Sequence, residues 1–512
     1  MKSPRFLAPL LAVLALLVAA LFAVAWLPLR DARDAWRAGR DAAAIAACER
    51  WSGLRLWPSS YDQLLAAAYL TSGNRAAAQA HLRGRPWRPV IDADEVARRL
   101  FAKERYDDFL AYDAVFHDGS AALGRAAALA ATNRTADAAA ALRAIDKSNV
   151  DPKKLAYLQN AIAGNVAWIV DRAGASIADA PDFAPLVHSL TRGNSSIETT
   201  LDPFIQRAAL QALGKYRGSI VAIDPRTNEL LAIASNAKEN LAIERQYEPG
   251  SVIKVLTGLN ALTNGVDVAS MFPYTCKGFL PIDGRHFGDW VPSGHGKLNG
   301  IDDALAVSCN VYFADLGLRL GRERLQGFMK AAGFDGQTDT GVMQAPLGKL
   351  IDPPYNNFEI AFLAIGLKHE SINGLHLAML ASMMANRGVL TAPRLLRDRR
   401  SILGDVVAGP PAQAHVQLGS RAAAETMIGA MQAVATEPRG TGRRAPVPGL
   451  TMAMKTGTAG ERPGLQALIM AFAPVEQPRI AFGVIAEDAG PAEIAGAKIA
   501  HDFLAAIQSR LQ

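Results

Sequence analysis

From Phe6 to Leu29 the chain runs for 24 residues without a charged side chain, with Lys2 and Arg5 just ahead of it. Nothing in the sequence restricts folding more. In hydrocarbon every backbone N–H and C=O must be bonded within its own segment, and about 20 apolar residues of helix cross the membrane core. The run therefore predicts a transmembrane helix. Ala23-Val24-Ala25 offers a leader-peptidase-like site, but the run exceeds the roughly 7–15 residues of a cleaved leader core, which favours an uncleaved anchor. Arg30, Arg33, Arg37 and Arg40 follow it, so charge counting leaves its orientation open. No second span is expected.

A chain of 512 residues suggests two to four domains at about 150 each. Half the residues are apolar and a fifth charged, enough to bury a large core. The formal charge of +6 is small for this length and gives no reason to expect nucleic acid. The densest basic runs, Arg394 to Arg400 and Arg439 to Arg444, lack interleaved aromatics and read as solvated loops. Three cysteines, Cys48, Cys276 and Cys309, make no disulfide framework, although a Cys276–Cys309 bridge stays open in an oxidising compartment. No His-Glu-x-x-His, phosphate-binding Walker loop or Gly-x-Gly-x-x-Gly is placed to act, so no metal or other cofactor is expected.

Residues 31–160 are Ala-rich with helical spacing. Gly39-Arg-Asp-Ala-Ala-Ala and Gly73-Asn-Arg-Ala-Ala-Ala lie 34 residues apart, the period of tetratricopeptide-like helical hairpins. Val96 to Tyr112 reads as another helix–turn–helix, broken near Lys103-Glu-Arg105. Stacked hairpins bury a seam that one hairpin could not, which suits protein partners; an unrepetitive bundle is the alternative. From Val166 the pattern turns to β. Gly218 to Ile223 and Glu229 to Ala234 flank Asp224-Pro-Arg-Thr-Asn228 as a hairpin, Pro203 to Tyr216 is a short helix, and Ala467 to Ala471 pairs with Ile480 to Glu487 ahead of a closing helix from Ala492 to Leu511. Strands at both ends with helices between predict an α+β domain. The expected division is an anchor at 1–30, a helical-hairpin domain at 31–160, a short lead-in at 161–198 and the α+β domain at 199–512.

Three short constellations bear on chemistry. Pro249 disfavours helix at Glu248 and Gly250 permits a sharp turn, so Ser251 falls in the first turn of an apolar helix running to Leu262. Lys254 lies over the same face. Surrounded by Val252, Ile253, Val255 and Leu256, its amine is desolvated and its pKa lowered, which makes it a base for the Ser251 hydroxyl. The same spacing in Ser235-Asn-Ala-Lys238 falls in a polar loop and reads as chance. Ser308-Cys309-Asn310 joins two buried segments, Ile301 to Val307 and Val311 to Leu320, where a hydroxyl could relay a proton and an amide could hold a carbonyl; Ser371-Ile-Asn373 shows that the spacing is common. Lys455-Thr456-Gly457-Thr458 reads as a strand edge whose glycine lets a peptide backbone pair closely, with a cation and hydroxyls to anchor a carboxylate. Each also has an ordinary structural reading; the order of all three on helix, loop and edge is specific.

That trio resembles the motifs of penicillin-binding protein transpeptidase domains. Tyr247-Glu-Pro-Gly-Ser251, Thr199-Thr-Leu-Asp202 with Gln206, His295-Gly296, Ala364-Ile-Gly366, Ala385-Asn-Arg-Gly388, Gly440-Thr441 and Ala471-Phe-Ala-Pro474 are similar to further landmarks of that domain. Ile169-Val-Asp-Arg-Ala-Gly174 is similar to a segment of the monofunctional, class B branch. The likeness covers roughly 166–510. Met454 stands where the family has Gly, Lys368 where Gln is usual, and Leu468-Ile-Met470 replace an aromatic-rich stretch, so the groove beside the strand is expected to be narrowed or differently lined.

The resemblance implies a D,D-transpeptidase that cross-links peptidoglycan stem peptides on the outer side of the inner membrane and is acylated by β-lactams. Ser251 would be nucleophile, Lys254 its base, and Ser308 with Lys455 the proton return; Asn310 would orient the substrate. Thr456, Gly457 and Thr458 would bind it, and the Ser251 and Thr458 N–H groups would form the oxyanion hole. Neither metal nor cofactor is implied. A carboxypeptidase, a β-lactamase (disfavoured by the lack of a Glu-x-x-x-Asn deacylation motif) and a penicillin sensor or scaffold without turnover stay open.

Overall fold

The computed structural model describes residues 7–51, 58–84, 86, 89–190, 195–351, 356–461 and 464–511. Of the N-terminal apolar run, Phe6 and the side chains of residues 7–10, 21, 22 and 25 lie outside the described residues. The chain divides into two compact units. One comprises residues 1–166, 193–196 and 399–408, the other 167–192, 197–398 and 409–512.

The first unit is built of successive helices that pack on their chain neighbours. A helix spans Leu7–Arg37, yet among the described residues no helix is long and apolar enough to cross a membrane. Four later junctions share one turn. Gly39, Gly73, Glu104 and Asn133 each take positive φ, and the next residue donates back five residues: Arg40 to Ala35, Asn74 to Tyr69, Arg105 to Leu100, Arg134 to Leu129. This closure satisfies carbonyls that a helix end leaves free. The break expected near Lys103-Glu-Arg105 falls between helices Ala93–Phe101 and Tyr106–Phe116. Trp36, Tyr61, Phe109 and Tyr112 fill a core lined by buried alanines at 66–68 and 126–128. The small residues let the helices approach closely enough to enclose the aromatics.

In the second unit a five-stranded antiparallel sheet runs β3-β4-β5-β1-β2, where β1 is Gly218–Asp224, β2 Glu229–Ser235, β3 Ala453–Ala459, β4 Gln466–Ala473 and β5 Ile480–Ala486. The two hairpins legible in the sequence thus come from opposite ends of the domain and join through β5–β1, with Gly483 opposite Val221. Helices Pro203–Leu213 and Ala495–Leu511 pack with the sheet, and helix Gly374–Ala385, buried along its whole length, packs on β5 and β1. β3 is an edge strand. Beyond it lie helices Lys254–Thr263, Ile301–Ala306, Asn310–Leu320 and Arg421–Thr436, one core continuous with the sheet.

Candidate active site

Ser251 lies in a tight turn, Gly250–Ile253, that continues directly into helix Lys254–Thr263. Gly250 takes φ +56°, and its N–H donates to the Gly366 carbonyl at 2.8 Å. A Cβ on Gly250 would stand 2.7 Å from the Thr458 carbonyl oxygen. A side chain there is excluded both by backbone conformation and by space. The glycine thus lets the turn bearing Ser251 dock on the edge strand.

Lys254 is wholly buried. Its Nζ lies 2.7 Å from the Ser308 carbonyl, 3.2 Å from Ser308 Oγ and 2.6 Å from Asn310 Oδ1. Burial brings its pKa down to about 8, against the opposing pull of Asp289 and Cys309. Lys455 is buried too, with Nζ 3.0 Å from Ser308 Oγ and 2.8 Å from the Thr456 carbonyl. Burial and the charge of Lys254 hold it well below the ordinary lysine value. One hydroxyl therefore sits between two amines that resist being charged together.

The turn carrying Ser308 is strained. Its φ is +56°, in the left-handed region that non-glycine residues avoid. Cys309 accepts the Tyr312 N–H as the cap of helix Asn310–Leu320, which fixes Asn310 on the first turn. Ser251, Ser308, Asn310, Thr456 and Thr458 all line one cavity of about 340 Å³, with Trp290, Leu367, Thr441 and Glu493 among the other walls. Lys254 and Lys455 reach its floor through Ser308. Gly457 lies against the turn bearing Ser251: a Cβ there would be 2.7 Å from the Pro249 carbonyl oxygen and 3.0 Å from Val252 Cγ1.

The look-alike motifs stand elsewhere. Ser235 Oγ, at the end of β2, donates to the Glu239 carbonyl, and Asn373 caps helix Gly374–Ala385 by accepting from His376 N–H. The groove expected to be narrowed by departures from the family pattern is not lined by them. Met454, Lys368, Leu468, Ile469 and Met470 are absent from the cavity wall. Met454 turns into the core, where its Sδ would meet a Cβ on Gly442 at 2.5 Å, and Lys368 Nζ lies over the Phe362 ring at 4.0 Å. Trp290 and Glu493 carried no motif signal. Thr441 did, as part of Gly440-Thr441, and its Oγ1 lies 2.7 Å from Thr456 Oγ1.

Behind the Ser308 turn is a group that the sequence did not announce. Ligand atoms of Cys276, Asp289, His295 and Cys309 all fall within 4.8 Å of one another. Asp289 Oδ2 is 3.2 Å from Cys309 Sγ, 3.6 Å from Cys276 Sγ and 3.6 Å from His295 Nδ1. Both cysteines are free thiols. The hydrogen bond from Cys309 pulls the Cys276 thiol down to about 5. Burial opposes ionisation of Asp289, but His295 and Lys254 hold its carboxyl far below the usual range. Two thiols, an imidazole and a carboxylate in a sheltered cluster match the donor set of a closed zinc site. The separations, 13, 6 and 14 residues, fit no short ligand-pair spacing, which is why sequence reading expected no metal.

A serine before a buried helix, two uncharged-leaning lysines bridged by a second serine, and an open sheet edge together define a serine–lysine domain of the penicillin-binding type. The family model described as the penicillin binding protein transpeptidase domain matches residues 218–508, and the chain belongs to this family. Among its relatives is the peptidoglycan D,D-transpeptidase MrdA of Acinetobacter baumannii, 30% identical over 58% of this chain and 52% of that protein. Another is the peptidoglycan D,D-transpeptidase PbpA of Mycolicibacterium smegmatis, 28% identical over 58% and 68%. The match thus spans only about half the length of the MrdA relative. Penicillin-binding protein A of M. tuberculosis, solved as a penicillin G acyl-enzyme complex, superposes with a TM-score of 0.54 at 25% identity, covering 63% of this chain and 81% of that one.

Proposed function

We propose that the chain is a serine D,D-transpeptidase that cross-links peptidoglycan stem peptides and is covalently inhibited by β-lactams. The observation that carries this is Ser308 Oγ lying 3.2 Å from Lys254 Nζ and 3.0 Å from Lys455 Nζ, in the cavity that Ser251 faces. A neutral Lys254 keeps two N–H donors for the Ser308 carbonyl and Asn310 Oδ1. Its lone pair is then free to take the Ser251 proton as Oγ attacks the penultimate D-Ala carbonyl carbon. The Ser251 and Thr458 N–H groups receive the oxyanion; one such donor is worth about 3–4 kcal/mol. As the C–N bond breaks, the proton passes through Ser308, with Lys455, to the departing D-Ala amine. Thr456 and Thr458 hold the terminal carboxylate, Gly457 lets the strand that binds the substrate backbone sit against the Ser251 turn, and Asn310 orients the substrate amide. An acceptor amine then attacks the ester carbonyl, the ester C–O bond breaks, and the amine's lost proton restores Ser251.

The names of the relatives, and the M. tuberculosis protein's capture as a penicillin G acyl-enzyme, support this reading. The Cys276, Asp289, His295 and Cys309 group would hold a divalent ion structurally, bracing the turn that presents Ser308. Residues 31–160 would be a tetratricopeptide-like scaffold for cell-wall protein partners, a reading supported by the recurring helix-end turn. Phe6–Leu29 would anchor the chain once in the inner membrane with the catalytic domain outside. Supporting that, Leu11, Val13, Leu14, Leu16, Leu17 and Val18 are exposed apolar side chains on one helix. Labelling with fluorescent penicillin tests the central reading: wild type should form a covalent adduct and Ser251→Ala none. An adduct that persists in Ser251→Ala removes this nucleophile.

A further inference from the structure

Next to the catalytic cavity lies a second one, of about 290 Å³, with Trp290, Thr441 and Glu493 common to both walls. Its other walls are Ile494 and the loop after helix Arg421–Thr436, which supplies Arg439, Arg443 and Arg444. The loop is held firmly by its backbone. Gly440 N–H donates to the Glu437 carbonyl, Thr441 N–H to Ala306 and Gly442 N–H to Val434. Arg439 donates to the His295 carbonyl at 3.0 Å, and Arg443 has one long bond of 3.4 Å to the Pro438 carbonyl. Among the described residues none of the three guanidinium groups is paired with a carboxylate. A helix C-terminus attracts cations only around its last turn, and Arg443 and Arg444 lie seven and eight residues past Thr436. The run is a solvated loop, as it reads from sequence, and its three exposed guanidinium groups also line the cavity next to the one that Ser251 faces.

The junction of the two cavities indicates which reactant the wall meets. They join at Thr441, whose hydroxyl bonds that of Thr456, the proposed holder of the leaving residue's carboxylate. The amine that resolves the acyl-enzyme must enter where the D-Ala amine left, and the rest of the acceptor must extend outward from there. We propose that Arg443 and Arg444, with Arg439 behind them, bind free carboxylates of the acyl-acceptor peptide, so that this loop selects the acceptor and favours amine over water. Planar guanidinium groups suit carboxylates through paired N–H donors. This rests on the transpeptidase reading and adds a subsite to it.

The test uses the full chain, a D-alanyl thioester as acyl donor, and two acceptors: a diamino-acid tripeptide with its α-carboxyls free, and the same peptide with them amidated. In Arg443→Glu/Arg444→Glu the concentration of free-carboxylate acceptor giving half-maximal aminolysis should rise about tenfold, with a smaller rise in Arg443→Gln/Arg444→Gln. Raising salt to about 0.5 M should shrink the wild-type preference for that acceptor. The amidated acceptor should respond to neither substitution. Equal effects on both acceptors, no effect on either, or a change confined to the thioester's KM would overturn the acceptor site. Penicillin acylation of each protein separates the two levels: wild type that never acylates sinks the transpeptidase reading itself, whereas normal acylation with unaltered acceptor dependence sinks only the subsite.

Discussion

If Lys254 is the base, acylation must follow the fraction of this amine that is neutral. Burial lowers its pKa from 10.5 to about 8. At that value about 1% is neutral at pH 6, about 9% at pH 7, about 50% at pH 8 and about 90% at pH 9. The second-order rate of fluorescent-penicillin acylation should therefore climb about tenfold from pH 6 to 7, about fivefold more to pH 8, and level off above about pH 9. Lys254→Arg should abolish it at every pH, because a guanidinium stays protonated throughout. Stability carries the same origin with a definite sign. The folded pKa lies below the unfolded one, so between about pH 8 and 10.5 the unfolded chain binds more protons and stability rises with pH. The gap amounts to about 3 kcal/mol, lost in full below pH 8. A rate that stays flat from pH 6 to 9, or a Lys254→Arg protein that acylates normally, would refute the assignment of this lysine as base.

Ser308→Ala removes the hydroxyl between the two amines and should slow acylation about 10²-fold while shifting the thermal midpoint little, since the neighbouring backbone bonds remain; equal rates for both proteins would deny Ser308 a part in proton transfer. Gly457→Ala presses a methyl against the Pro249 carbonyl and Val252, so acylation should fall more than about tenfold and stability by about 1–3 kcal/mol, read by labelling kinetics and calorimetry. The Cys276, Asp289, His295 and Cys309 group should take up about one zinc per chain by elemental analysis, with Cys276→Ser/Cys309→Ser losing the metal and several degrees of thermal midpoint; metal-free wild type with an unchanged midpoint on chelation would contradict it.

What local order can express was legible. The abrupt turn at Glu248-Pro-Gly250, the amine one helical turn past Ser251 and the apolar strands of the two hairpins all arise from neighbours within a few positions, where backbone sterics and periodicity act directly. The lateral order of the strands was not, because β5 meets β1 across some 260 residues and only the closing of a common core selects that pairing. Side chains that burial gathers from distant segments were equally out of reach. Lys254 and Lys455 share one hydroxyl, four metal-type ligands converge from a hairpin and a helix cap, and Met454 turns away from the groove it stood beside in sequence. The order of residues is enough to say which of them carry reactive groups and on what kind of element each sits. Tertiary structure alone decided which of them lose water together, and that shared desolvation is what sets their charge and their chemistry.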